Sequence, residues 1–163
     1  MSDRLRRLTG LAIAGVLIAG MTGCQYYPPT MRHEERDLEL VYKEFPAKVH
    51  LSGDFSDAEP RFEEVKLVRP PQGALGSAVL LDESAVYNAT LTFTYDEETL
   101  KKLEIPEEQL ILIFTSRDCK TSYMLKDVER NMDANTLKAN VWELGHYQFA
   151  DERYFQNPTA ETN

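Results

Sequence analysis

Between Asn88 and Tyr95 polar and apolar side chains alternate without a break: Asn, Ala, Thr, Leu, Thr, Phe, Thr, Tyr. Successive side chains of a strand point to opposite faces, so Ala89, Leu91, Phe93 and Tyr95 share one face and the threonines share the other. A helix would scatter the same residues around its surface. The segment must bury its apolar face, and its backbone N–H and C=O groups must find partners. Those two demands are met together by a sheet with one packed and one solvated face, which is the layered antiparallel architecture.

The same period recurs along the chain. Ala47 to Leu51 alternates, Phe62 to Val68 does so more loosely, and Ser77 to Asp82 follows a turn flanked by Gly73 and Gly76. Leu110 to Phe114 is a continuous apolar run, which predicts a central strand buried on both faces. Thr121 to Leu125, Thr136 to Leu144 and Tyr147 to Ala150 follow. Strands at this spacing, with turns between them, predict a mainly β fold: an antiparallel immunoglobulin-like β-sandwich. Leu91, Phe93, Leu112, Phe114, Leu137 and Val141 are its expected core. One short helix interrupts. Asp96 to Leu103 places acids first and lysines last, matching the helix dipole, and Pro106 stops it.

The first 23 residues have a different character. Arg4, Arg6 and Arg7 precede an apolar stretch from Leu8 to Met21, too short for a bilayer span of about 20 apolar residues. This is the layout of an export signal. It ends in Met21-Thr22-Gly23-Cys24, which resembles the lipobox of bacterial lipoproteins, where a large apolar and two small residues precede the lipidated cysteine. The resemblance implies cleavage before Cys24 and acyl chains on that residue. With Gln25 rather than Asp next to it, the resemblance implies the outer membrane as destination, the domain facing the periplasm. Two or three chains anchor stably, at about 0.8 kcal/mol per buried CH2.

The expected organisation is a signal peptide at 1–23, a lipidated Cys24 and flexible tether at 24–44, a β-sandwich domain at 45–155 and a disordered tail at 156–163. The tether contains Tyr26-Tyr27-Pro28-Pro29 and the charged run His33 to Asp37, with a hint of an edge strand in the alternation from Leu38 to Tyr42. The whole chain carries a formal charge of −9. Removal of a leader with three Arg and one Asp makes the remainder two units more negative. That balance argues against nucleic acid as a partner and against adsorption to anionic lipid by charge.

No constellation of catalytic residues converges. His33, His50 and His146 lie far apart in sequence, and a zinc site needs three or four converging ligands. The pairs Glu97-Glu98 and Glu107-Glu108 read as solvated. Asp127, Glu129, Asn131, Asp133 and Asn135 alternate like a calcium loop but lack its glycine and its closing glutamate. That stretch reads as a solvated hairpin. Cys119, with Cys24 acylated, is the one remaining thiol and sits at an expected hairpin tip. Trp142 is the single tryptophan. If Val141 faces the core, Trp142 faces outward, so Trp142, Tyr147 and Tyr154 are the candidate binding surface; the alternatives are an inward Tyr147 and a Trp142 covered by the tether or by the segment from Glu152 to Phe155.

Leu91 to Ala150 resembles the second half of ZU5-like β-sandwich domains of bacterial cell-surface proteins. The resemblance rests on a strand ending in Tyr95-Asp96, a short helix, Ile105-Pro106-Glu107-Glu108-Gln109-Leu110, a Leu-Ile-Phe strand, Asn135 to Val141, and a closing His146-Tyr147-Gln148-Phe149-Ala150. Some of these domains cleave themselves at His-Phe-Ser by attack of the serine hydroxyl on the preceding carbonyl. Here Gln148 stands in the serine's place, and a carboxamide is a poor nucleophile. The expectation is therefore a lipid-anchored envelope protein that is not an enzyme, holds no metal or cofactor, and acts as an interaction or scaffold module. Its expected partner is another envelope protein or a glycan; the alternative is a ligand-binding lipoprotein taking a glycan or lipid.

Overall fold

A computed structural model describes residues 30–42, 45–56 and 59–155. Ten strands and one helix run in the order β1 (Arg32–Leu40), β2 (Ala47–Phe55), β3 (Arg61–Val65), β4 (Ala74–Asp82), β5 (Val86–Tyr95), α1 (Glu97–Lys102), β6 (Leu110–Ser116), β7 (Ser122–Met124), β8 (Glu129–Asn131), β9 (Thr136–Val141) and β10 (Gly145–Asp151). They form two five-stranded sheets, β1-β2-β5-β9-β8 and β3-β4-β10-β6-β7, with every pairing antiparallel. The mainly β sandwich expected from the alternation is the fold.

The phase of β5 follows its sequence: Ala89, Leu91, Phe93 and Tyr95 are buried, and the threonines between them are half-buried on the other face. All six expected core residues are buried. Phe149 joins the sheets, its ring 5.2 Å from Phe45, 5.1 Å from Phe93 and 6.1 Å from Tyr95, each edge to face. Helix α1 starts as its composition demands. Asp96 accepts from the Thr99 backbone N–H at 2.9 Å, Lys101 pairs with Glu97 at 2.6 Å, and Leu100 is buried. Gly73, at φ +82, turns the chain into β4; a Cβ there would meet the Phe155 backbone nitrogen at 2.7 Å.

Two expectations need correction. The segment assigned to a tether holds β1, which pairs with β2 along all nine of its residues. Leu40 is buried and Leu38 packs on the core. Glu34 and Arg36 sit on the same inward face, and they pair with each other and with Arg32 and Glu59. The charged run is therefore an edge strand, and its inward charges are neutralised locally. Residues 1–29 and 156–163, including Cys24, lie outside the described residues. Second, the centre of its sheet is β10, not β6. Strand β6 is buried on both faces, as its apolar run requires, but only the three-residue β7 lies beyond it.

Candidate functional site

The two edges of the sandwich differ. On one side β1 packs beside β3. On the other, β7 and β8 are three residues each, and the chain crosses from one sheet to the other between them through 125–128. Arg130 on β8 reaches back to the backbone carbonyls of Glu107 and Leu110, tying the crossover to the start of β6. Short edge strands leave the space beside them unfilled. A groove of about 1130 Å³ opens there, lined among others by Tyr123, Lys126, Asn140, Trp142, Glu143 and Glu152.

Trp142 reaches the groove because of strand phase. Leu137, Ala139 and Val141 point into the core, so Trp142, one residue past β9, is 63% exposed. Tyr123 faces Phe114 across the β6–β7 pair, with ring centroids 5.1 Å apart, and its hydroxyl donates to Glu143 Oε1. Burial, and then that carboxylate, push the Tyr123 hydroxyl above its ordinary range, so it remains a donor. The groove carries three carboxylates, Asp127, Glu143 and Glu152, against the single ammonium of Lys126.

Of the candidate surface residues, the fold brings Trp142 and Tyr147 to one groove and leaves Tyr154 elsewhere. Tyr147 belongs to the core: it is 1% exposed, its ring lies 5.3 Å from Phe114, and its hydroxyl donates to the Glu143 carbonyl at 2.6 Å. It forms the floor of the groove rather than a contact surface, because β10 is the central strand and its odd-numbered side chains face the opposite sheet. Burial holds its hydroxyl protonated. Tyr154 is exposed beside a second hollow of about 520 Å³, with the Arg153 guanidinium 5.4 Å from its ring centre. That arginine is held by Asp151, whose carboxyl it keeps below the usual range.

The remaining chemistry-bearing residues are dispersed. His33 pairs with Asp54 and His50 with Asp37, each at 2.9 Å, on the outer face of the β1–β2 ladder. His146 is nearly buried on the other sheet, its Nδ1 3.3 Å from the Ser116 carbonyl. No group of three or more potential metal ligands occurs among the described residues. Cys119 is exposed at the β6–β7 hairpin tip with φ 58. Glu129 and Asn131 lie on β8, which closes a hairpin with β9.

His146, Tyr147 and Gln148 are consecutive in β10. The β4–β10 register jumps from Tyr147↔Val79 to Phe149↔Leu75, leaving a bulge in β4. The Gln148 side-chain amide donates to the carbonyls of Leu75 at 3.4 Å and Gly76 at 3.1 Å. The Gly76 carbonyl lies in the stretch of β4 that no β10 residue pairs with, and Gln148 supplies it a donor. None of the left-handed residues of the described chain falls in β10.

Sequence reasoning missed Tyr123, Lys126 and Glu143. Their only signal was proximity to Trp142 in the case of Glu143; the other two enter the groove through the crossover between sheets. A scan against protein-family models, a search of curated proteins and a search of solved structures found no match to this chain.

Proposed function

We propose that this protein is a non-catalytic binding module of the cell envelope, anchored by acyl chains on Cys24, with the groove beside Trp142 as its recognition surface. The observation that carries the reading is the exposed Trp142 in a groove of about 1130 Å³. A large aromatic side chain left in water at a concave site is a feature of recognition surfaces. The groove also joins an apolar wall to a few polar groups, the usual composition of a binding site. The leader ending in Met21-Thr22-Gly23-Cys24 supports the anchored location, and the dispersed histidines favour binding over catalysis.

Two measurements test it. A Cys24→Ser chain whose leader has been removed should be released from salt-washed membranes, and mass spectrometry of the mature N-terminus should find an acylated Cys24 in the parent. Persistent sedimentation of a cleaved Cys24→Ser chain would remove the anchor from the reading. For the groove, a photo-crosslinking side chain at Lys126 in living cells should yield a discrete adduct that Trp142→Ala diminishes. If no Trp142-dependent adduct forms, the groove is not the recognition surface.

A further inference from the structure

Within that reading, and resting on it, we infer that the groove takes a lysine- or arginine-bearing peptide segment of a partner protein, added as a strand along the free edge of β7. Three features converge. The first is charge: Asp127, Glu143 and Glu152 outnumber Lys126 in the lining. Such a groove attracts cations and repels anions, most strongly at low salt. The second is Trp142, whose exposed indole face attracts an ammonium or guanidinium, and Trp is the best ring for that contact.

The third is backbone. In the β6–β7 hairpin, Ser116 N–H donates to the Thr121 carbonyl and Leu125 N–H donates to the Leu112 carbonyl. Bonded pairs alternate along an antiparallel ladder, so Tyr123 bonds back to Phe114 while the N–H and C=O of Ser122 and Met124 point away from β6. Among the described residues strand β7 ends its sheet, and Tyr123 and Met124 line the groove. Those outward groups match another backbone, which a sugar or a polyamine does not supply. Met124, 42% exposed, offers an apolar contact beside them.

The same charges argue against the other occupants. Residues 156–163 contain Glu161 and no Lys or Arg, so the chain's own C-terminal segment is mismatched to the lining. A second copy of a chain with formal charge −9 meets the same repulsion.

Trp142 is the only tryptophan, so its emission reports occupancy of the groove directly. The test titrates the full chain with a short peptide alternating Lys and Val. Parallel titrations use its Glu-Val counterpart, the Lys-Val peptide N-methylated at alternate amides, spermidine, and a soluble peptidoglycan fragment. The expected result is a saturable emission change with the Lys-Val peptide alone, weakening as salt rises from about 0.05 M to about 0.5 M. With a labelled peptide read by anisotropy, Trp142→Ala should weaken binding about 2- to 5-fold, the loss of one exposed cation–π contact. Glu143→Gln, which keeps an acceptor for Tyr123, should weaken it by a similar factor.

Equal binding of the Glu-Val peptide overturns the charge argument, and equal binding of the N-methylated peptide or of spermidine overturns strand addition. Saturation by the glycan fragment, with no response to the peptide, overturns the inference while leaving the groove a binding surface. If the Lys-Val peptide fails but the Lys126 adduct in cells still depends on Trp142, this inference falls and the reading beneath it stands. Loss of that adduct takes both.

Discussion

The two open sides of the sandwich solve the same problem in opposite ways. Each exposes the edges of two sheets, which are templates for unwanted pairing. On the β1–β3 side the edge strand is long and the closure is ionic. Glu34 and Arg36 point inward, and Arg36 also reaches Glu59 and the Pro60 carbonyl. Glu64 Oε1 on β3 accepts from the backbone N–H groups of Val41 and Tyr42 at 2.9 and 3.0 Å and from the Ser77 hydroxyl at 2.5 Å. Lys66 lies over the Tyr42 ring. On the β7–β8 side the edges are short, and the space beside them is the groove around Trp142. Inward charges blunt an edge by making an incoming strand desolvate them; short strands blunt it by offering few backbone groups, but leave one face approachable. The contrast teaches that brevity leaves a groove beside the edge, whereas inward charge fills the space with ion pairs.

The strongest perturbation falls on what both sides share. Phe149→Ala should cost about 3–5 kcal/mol in chemical denaturation, because its ring bridges Phe45, Phe93 and Tyr95 across the sheets. Phe93→Ala belongs in the same range, whereas Thr92→Ala, on the outer face of β5, should cost well under it. Equal shifts for the Phe93 and Thr92 variants would mean that the outer face of β5 is packed as tightly as the inner.

Next comes the ionic side. Glu64→Leu withdraws one carboxylate from three donors, two of them half-buried, and the loss should reach about 1–3 kcal/mol, the penalty for buried groups deprived of a partner. Hydrogen exchange should rise at Val41 and along β1 while β9 keeps its protection. Uniform loss of protection would show that the β1–β3 side is not an independent closure.

The groove side should respond less. Tyr123→Phe deletes one hydrogen bond to Glu143 at the surface, so the stability change should stay below about 1 kcal/mol. A larger loss would mean that the groove is a structural joint rather than a surface free to bind.

The smallest effect is a pH dependence on β1. The hydrogen bond to Asp54 raises the His33 pKa above its ordinary 6.5, with a further contribution from Glu35. A group whose folded pKa is raised contributes fully below the unfolded value and loses that contribution as pH rises through the folded one. The β1–β2 contact should therefore loosen slightly on going from about pH 6 to about pH 8. NMR titration should place the His33 midpoint above 6.5, and Asp54→Asn should bring it down. An unchanged midpoint in that variant would sever the assigned cause.

How far these features were legible from the sequence varied by element. Strand β5 was fully legible, since each residue's face follows from a period of two once one face is buried. Strand β1 was largely hidden. Its inward positions carry Glu34 and Arg36, so the hydrophobic pattern that announces a strand appears only at Leu38 and Leu40. The outward phase of Trp142 was legible from Leu137, Ala139 and Val141, but the same rule did not reach Tyr147, because β10 is buried on both faces and neither phase would expose its side chains.

The sequence by itself determined the fold class, the phase of the clearest strands, the short helix after Asp96 and the buried apolar set. All of these are local: they depend on periodicity and on side chains within a few residues of one another. Strand order, the ion pairs that close the β1–β3 side and the groove were decided only by tertiary structure. Glu64 meets Val41 and Tyr42 from more than twenty positions away, and Tyr123 meets Glu143 across the two sheets. No local pattern encodes such a meeting, because it depends on which edges the packed core leaves side by side.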